Sequence, residues 1–321
     1  MNGSERLAAL SVDLDEVGCY TAIHGLPPAE PVAAHAVYRK AVPRFERLFE
    51  QLGVPATFFA VGQKLADAES AENLRRLHGA GHEIGNHTAN HLYDFTRRDA
   101  VTVRSEIARG GAAIAELTGV SPVGFRAPGY TITDAVLDLL TEQGYLYDSS
   151  VFPCPAYYSA KALAIASLRV RGRNSASILD TPLVLAAPGD PYRTGRPYWR
   201  RGRGIWELPV GVTGWPTLRL PYLGTTVVLY GTRMGQALTR LMLGRPLINL
   251  ELHGVELADA GRDGLEFLLP HRPDLRRPLI ERRRALIAAV ETLHRAGYTF
   301  VSLRQAARAL SETDAERGEQ M

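Results

Sequence analysis

The chain has 321 residues, 45% of them hydrophobic and 22% charged, with a formal net charge of +3 at pH 7. This composition suits a folded chain with a large buried core and excludes a disordered or collagen-like polymer, and so small a charge gives no case for nucleic acid as a partner. Its two cysteines, Cys19 and Cys154, lack a metal-binding spacing such as C-x-x-C and are expected as free thiols. In chain order, short apolar runs at 7–12, 56–61, 82–85, 123–126, 145–148, 205–210, 247–252 and 298–303 read as strands. Helical spacing covers 37–52, 66–80, 99–117, 133–143 and 279–296, and Gly81, Gly144 and Gly297 stand where helix C-caps would. Such alternation is the signature of a parallel sheet with crossover helices.

Two stretches interrupt it. Residues 19–36 form an insertion expected to wall one side of a pocket, and residues 154–204, rich in Pro, Gly and Arg, are expected as a loop or cap over a barrel mouth. Met234, Leu238, Leu241 and Met242 have the spacing of a helix packed on the barrel. Residues 1–312 read as one domain and 313–321 as a flexible acidic tail. The N-terminal run M-N-G-S-E-R-L-A-A-L-S-V-D lacks the basic start and apolar core of a secretory signal, and no apolar stretch reaches the roughly 18 residues of a membrane span. A cytoplasmic setting is therefore expected.

Chemistry concentrates in two motifs. Asp13-Leu14-Asp15 ends an apolar run, and G-H-E-I-G-N-H-T-A-N-H places His87 and His91 four apart. A zinc site that performs chemistry takes three protein ligands and keeps a position open for water. Asp15, His87 and His91 can supply those three, with Asp13 left as a base. On a strand, residues two apart point the same way, so both aspartates reach one site. If the second segment turns as a helix, both imidazoles share a face. The donor set suits zinc, and equally cobalt, manganese or iron. His82, earlier in the same strand, is expected to be a hydrogen-bonded structural residue, and Glu16 a solvated or salt-bridged acid pointing away.

L-S-V-D-L-D, A-T-F-F, the Gly81 to His91 run, G-F-R-A-P and L-E-L-H fall in the order seen in the polysaccharide deacetylase (NodB-homology) family. The chain resembles that family over about residues 7–303, and resembles its carbohydrate esterase family 4-like subgroup with one residue between the two acids. The resemblance implies an α/β fold, a distorted (β/α) barrel of about seven parallel strands with inserted loops over its C-terminal face. It also implies metal-dependent hydrolysis of an N-acyl group, N-acetyl first, on an amino sugar. By the same resemblance Asp13 is the catalytic base, Asp15 a ligand, Arg126 the residue that holds the base carboxylate, and His253 the acid that protonates the leaving amine. The aspartate that orients this histidine in the family has Asp148 as its candidate, although the usual D-x-x-D-W pattern is absent. Gly129 precedes Tyr130 where many relatives carry an aromatic directly after the proline, so these two are candidates for substrate and oxyanion contacts. Trp206 and Trp215, with Leu218, Leu220, Tyr222 and Leu223, are candidates for a sugar platform or a polyprenyl groove.

A cytoplasmic enzyme meets precursors rather than finished polymers, which points to nucleotide-linked, lipid-linked or small amino sugars. The arginines Arg169, Arg171, Arg173, Arg193, Arg196, Arg200, Arg201 and Arg203 offer a positive field for their phosphates or for peripheral contact with an anionic membrane face. Deformylation of a polyprenyl-phosphate-linked aminosugar is one alternative. A non-haem iron oxygenase shares the two-histidine, one-carboxylate set, and a non-catalytic glycan-binding or scaffold barrel is a third. The extra Asp13 and the separate His253 favour hydrolysis, since a binding module needs neither base nor acid.

Overall fold

The computed structural model describes residues 6–214 and 218–319. Among the described residues nine strands are laid down in chain order: β1 (Leu7–Asp13), β2 (Thr57–Ala60), β3 (Glu83–Asn86), β4 (Gly124–Phe125), β5 (Tyr147–Asp148), β6 (Tyr192–Thr194), β7 (Arg201–Glu207), β8 (Leu247–His253) and β9 (Thr299–Phe300). They form one curled sheet in the order β6-β7-β5-β4-β3-β2-β1-β8. β9 pairs with the first residues of β1, and β2 takes the rest of that edge. Every pairing is parallel except β6 with β7. This is a distorted barrel, with eight strands running together and one turned back.

Around the sheet lie α1 (Val17–His24), α2 (Val42–Leu52), α3 (Ala68–Gly79), α4 (Ala100–Thr118), α5 (Asp134–Glu142), α6 (Pro155–Val170), α7 (Gly224–Met242), α8 (Leu279–Arg295) and α9 (Leu303–Glu319). Side-chain caps start four of them: Glu16 accepts from Val17 N, Asp67 from Ser70 N, Asp99 from Thr102 N and Thr133 from Val136 N. Alternation along β1 and β8 divides two interiors. Ala8, Leu10, Val12, Ile248, Leu250 and Leu252 join the large core beneath the helices. Ala9, Ser11, Asp13, Asn249, Glu251 and His253, on the other face, point into the barrel.

Inside, the composition changes with height. The N-terminal end of the strands is apolar, where Leu7, Ala9, Phe59, Tyr147, Trp206 and Leu247 pack on Leu303, Ala306 and Ala307 of α9. Helix α9 thus plugs this end. Its first amides are capped from within the barrel: Leu303 N donates to Thr57 Oγ1 at 2.9 Å and Arg304 N to Glu83 Oε2 at 2.8 Å. Above that sits a polar layer that bridges the gap between β7 and β8. Ser11 Oγ donates to Asn249 Oδ1 at 2.9 Å, Asn249 Nδ2 to Ser149 Oγ at 3.2 Å and Pro209 O at 3.3 Å, and Gly211 N to Asn249 O at 3.1 Å. Only the C-terminal end of the strands is left for a site.

Several elements depart from the sequence expectation. β4 and β5 are two residues long, yet the chain on either side stays in register, with Arg126 N donating to Asn86 O at 3.0 Å and Ser149 N to Phe125 O at 2.9 Å. α6 occupies part of the span read as a loop; it is rich in alanine and buries none of its residues, so no apolar stripe marks it. β6 in the same span runs antiparallel. The segment read as a tail continues α9 as helix to Glu319. In α7, Leu238 and Met242 are buried whereas Met234 and Leu241 are exposed, so only half of that expected stripe packs.

Glu83 is a buried carboxyl that ties α9 to the barrel: besides Arg304 N, it accepts from Thr57 Oγ1 at 2.8 Å and Tyr147 Oη at 3.0 Å. Glu83→Ala leaves those donors unmatched at the barrel floor and is expected to cost about 3 kcal/mol in urea unfolding. A loss below about 0.5 kcal/mol would show that α9 does not depend on this cap.

Candidate active site

Asp13 closes β1, and Asp15 follows two residues on, with Leu14 N still bonded to Phe59 O at 3.0 Å so that the chain stays extended. His87 follows β3. The segment after it does not become a helix, because Thr88 and His91 take left-handed backbone torsions (φ 65° and 55°) and Gly110 of α4 packs against Thr88 and Asn86. The two imidazoles converge regardless, their ring centroids 4.7 Å apart. His87 Nε2 lies 3.1 Å and His91 Nε2 2.9 Å from the same atom, Asp15 Oδ1. All three residues are buried.

The hydrogen bonds of this cluster fit a cation. His87 Nδ1 donates to Arg126 O at 2.7 Å, which leaves the lone pair of a neutral ring on Nε2, facing the carboxylate. Cys19 Sγ lies 3.5 Å from His91 Nδ1, and His91 Nε2 is buried without a hydrogen-bond partner. Two ring nitrogens and a carboxylate oxygen gathered in this way repel one another unless a positive charge joins them. Asp15, His87 and His91 therefore fit a divalent metal, and nothing in the donor set chooses among zinc, cobalt, manganese and iron.

Beside them, Arg126 is fully buried and Asp13 nearly so. Arg126 Nη1 donates to Asp13 Oδ1 at 2.7 Å, Nη2 to Ser11 Oγ at 3.0 Å and Ser149 Oγ at 2.7 Å, and Nε to Ser149 O at 2.8 Å. The contact with Asp13 is end-on rather than the two-pronged fork expected of arginine, since the other N–H groups are spent across the barrel. Next to Asp13 across the β1–β8 pairing, His253 ends β8. Its Nε2 lies 3.4 Å from Tyr130 Oη and its Nδ1 3.2 Å from Glu251 Oε1.

Residues 35–147 match the family model described as polysaccharide deacetylase. A peptidoglycan deacetylase from Helicobacter pylori is 28% identical over 152 residues, which is 46% of this chain and 50% of that protein. A peptidoglycan-N-acetylglucosamine deacetylase from Bacillus cereus is 35% identical over 103 residues, 32% of this chain and 46% of that protein. A crystal structure of a candidate polysaccharide deacetylase from Mycobacterium smegmatis is similar with a TM-score of 0.60 at 21% identity, covering 98% of this chain and 92% of that one. The chain is similar to the polysaccharide deacetylase family over residues 35–147. It spans about half the length of the curated relatives it matches, and the structural likeness establishes the shared distorted-barrel fold. His87, His91 and Arg126 lie inside the matched region, and Asp13, Asp15 and His253 are brought to them by the fold.

Among polysaccharide deacetylase features expected from the sequence, Asp148 stands apart from the role considered for it. Its carboxyl accepts from Ser150 Oγ at 2.6 Å and Ser150 N at 3.1 Å, beneath the site, and does not contact His253. The carboxyl at Nδ1 belongs to Glu251, with Glu256 Oε1 beyond it at 3.9 Å. Burial, then the nearby Asp13 and Glu256, push the Glu251 carboxyl well above the ordinary range, while burial lowers His253. Period-two spacing from His253 would have pointed to Glu251. Glu16 is not solvated either: it is buried and accepts from Val17 N at 3.0 Å, Val37 N at 2.9 Å and Tyr38 N at 3.2 Å, tying α1 to the helical turn that leads into α2. His82 Nδ1 accepts from Ala56 N at 3.1 Å.

A cavity of about 420 Å³ opens above the site. Asp13, Asp15 and His253 line it with Tyr20 and His24 of α1, Tyr93, Gly129 and Tyr130, Tyr157 and Lys161 of α6, Leu223, and Arg272. Gly129 and Tyr130 have consecutive left-handed torsions (φ 63° and 57°), and the Tyr130 amide is spent on Ala127 O at 3.2 Å. Trp206 does not belong to this wall: it packs in the barrel floor, its Nε1 donating to Ser311 Oγ at 2.8 Å. Tyr222 is core, and Trp215 lies outside the described residues. The eight arginines between Arg169 and Arg203 are absent from the cavity wall. Arg173 is tied to Gly25 O at 2.9 Å, Arg193 covers the Trp206 ring and Arg196 pairs with Asp138.

Removing one imidazole should separate ligand from base. His91→Ala is expected to weaken zinc binding at least about 100-fold in a chelator-competition titration, whereas Asp13→Asn retains it. Equal affinity in His91→Ala and the parent protein would exclude His91 as a ligand.

Proposed function

We propose that this protein is a metal-dependent hydrolase that removes an N-acyl group, N-acetyl first, from an amino sugar. The observation that carries the reading is that Asp13 and His253, register partners at the ends of β1 and β8, line one cavity together with Asp15 of the Asp15, His87 and His91 cluster. Hydrolysis of an amide needs both a base for the water and an acid for the amine, because the nitrogen leaves poorly unless protonated. A divalent cation held by the three ligands would supply charge that polarises the carbonyl and lowers the pKa of a water towards about 7.

Asp13 is the group that takes the proton from the attacking water, and Arg126 fixes its carboxylate in place. His253 Nε2 delivers a proton to the amine nitrogen as the C–N bond breaks, with the Glu251 carboxyl 3.2 Å from its Nδ1. Gly129 and Tyr130 shape the wall where the acyl group would sit. The substrates that fit a cytoplasmic setting are nucleotide-linked, lipid-linked or small free amino sugars. A lipid-linked one would bring peripheral membrane contact; among the described residues no helix is long and apolar enough to cross a membrane.

The test is release of acetate and of formate from free, nucleotide-linked and polyprenyl-phosphate-linked amino sugars by zinc-loaded protein. Acetate release is expected, with the rate falling about 10²- to 10⁴-fold in Asp13→Asn while the metal stays bound. Formate release instead would assign a deformylase. Undiminished turnover in Asp13→Asn would contradict the assigned base, and iron-dependent oxygen uptake would replace the hydrolase with an oxygenase.

A further inference from the structure

Two side chains bring full positive charge to the cavity wall above Asp13 and Asp15, Lys161 and Arg272. Their surroundings differ. Arg272 is neutralised by Asp274, which accepts from its Nε and Nη2 at 2.9 Å each. Lys161 joins no ion pair among the described residues: its Nζ donates to Gly129 O at 2.8 Å and lies 5.9 Å from the centre of the Tyr157 ring. Burial pushes this ammonium down to about 8, so it stays charged at neutral pH. His24, stacked on His271 at 4.8 Å, is pushed down to about 4 by burial and is neutral there.

Asp180 attracts Lys161 through space without pairing with it, its carboxylate being spent on Ile132 N, Thr181 N and Tyr198 Oη, and a partly desolvated cation without a paired anion is costly unless something anionic completes it. One carbonyl occupies one of the three N–H groups of Lys161, and two remain. Tyr20 Oη, buried in the same wall without a hydrogen-bond partner, is a second unspent donor. The arginines that the sequence offered for this purpose are elsewhere on the molecule, which leaves the lysine as the wall's free positive charge among the described residues.

We propose that Lys161 is an anion-recognition residue of the substrate cavity and that the amino sugar carries a phosphate ester. This rests on the deacylase reading of the same cavity. A lysine ammonium is a compact point charge suited to phosphate oxygens. Held there, the phosphate sets the sugar's position on the α6 side of the cavity. The phosphate could join the sugar to a nucleotide or to a lipid; the chemistry Lys161 reads is shared by both.

Binding of deacylated sugars tests this without turnover. Calorimetric titration of zinc-loaded protein with glucosamine 1-phosphate and with methyl glucosaminide is expected to show the phosphate favoured about 10-fold or more. Lys161→Met should abolish that preference while leaving methyl glucosaminide binding unchanged, and Lys161→Arg should keep most of it. Tighter binding of uridine-diphosphate glucosamine or of a short polyprenyl-phosphate glucosamine than of the bare sugar phosphate supports the proposal and names the source. No preference in the parent protein would overturn it. So would an equal loss for both ligands in Lys161→Met, which would reduce Lys161 to a brace on Gly129. Because no acyl group is released in this experiment, failure to release acetate would defeat the deacylase reading separately.

Discussion

Arg126 joins the two halves of the site. Its carbonyl accepts from His87 Nδ1 and so fixes which ring nitrogen faces Asp15; its guanidinium holds Asp13 and crosses the barrel to Ser11 and Ser149. A buried guanidinium is tolerated only where its donors are matched, and here they are matched by Ser11 and Asp13 of β1 and by Ser149 just after β5. The strands therefore cannot slide without unpairing the arginine, and the arginine cannot move without misplacing both a proposed ligand and a proposed base. The polar layer around Asn249 serves the same end, bridging the part of the barrel where β7 and β8 do not pair.

Below this layer the barrel is apolar and stoppered by α9, and above it the groups are titratable. That vertical order follows from alternation on a few strands. β1 runs Ala9, Ser11, Asp13 on its inner face and β8 runs Asn249, Glu251, His253, each becoming more polar toward the C-terminal end, where the chain leaves the sheet. The catalytic face of a parallel barrel lies at that end, and the insertions that carry α1 and α6 wall the cavity there.

The parallel framework was legible in the sequence because β1, β2 and β8 are apolar runs and α2 to α5 and α8 have helical periodicity with clear caps. So were Asp15, His87 and His91, whose residue types and spacing already had a chemical meaning. Other features left no such mark. α6 buries nothing and has no stripe; the turn after His87 depends on left-handed torsions at Thr88 and His91 that non-glycine residues rarely adopt. Asp148 was considered for His253 from its position near a strand end, yet its partner there is Ser150. Glu251 was readable two residues before His253 and was passed over. Lys161 could not be singled out at all: its isolation is a property of what surrounds it in space.

X-ray absorption at the zinc edge of the loaded protein tests the central claim most directly, because it reads the atoms that touch the metal. The account predicts nitrogen and oxygen neighbours only, at about 2.0–2.2 Å, with the multiple-scattering pattern of two imidazoles. Zinc bound through sulfur at about 2.3 Å, which would implicate Cys19 beside His91, or a shell without imidazole, would contradict it.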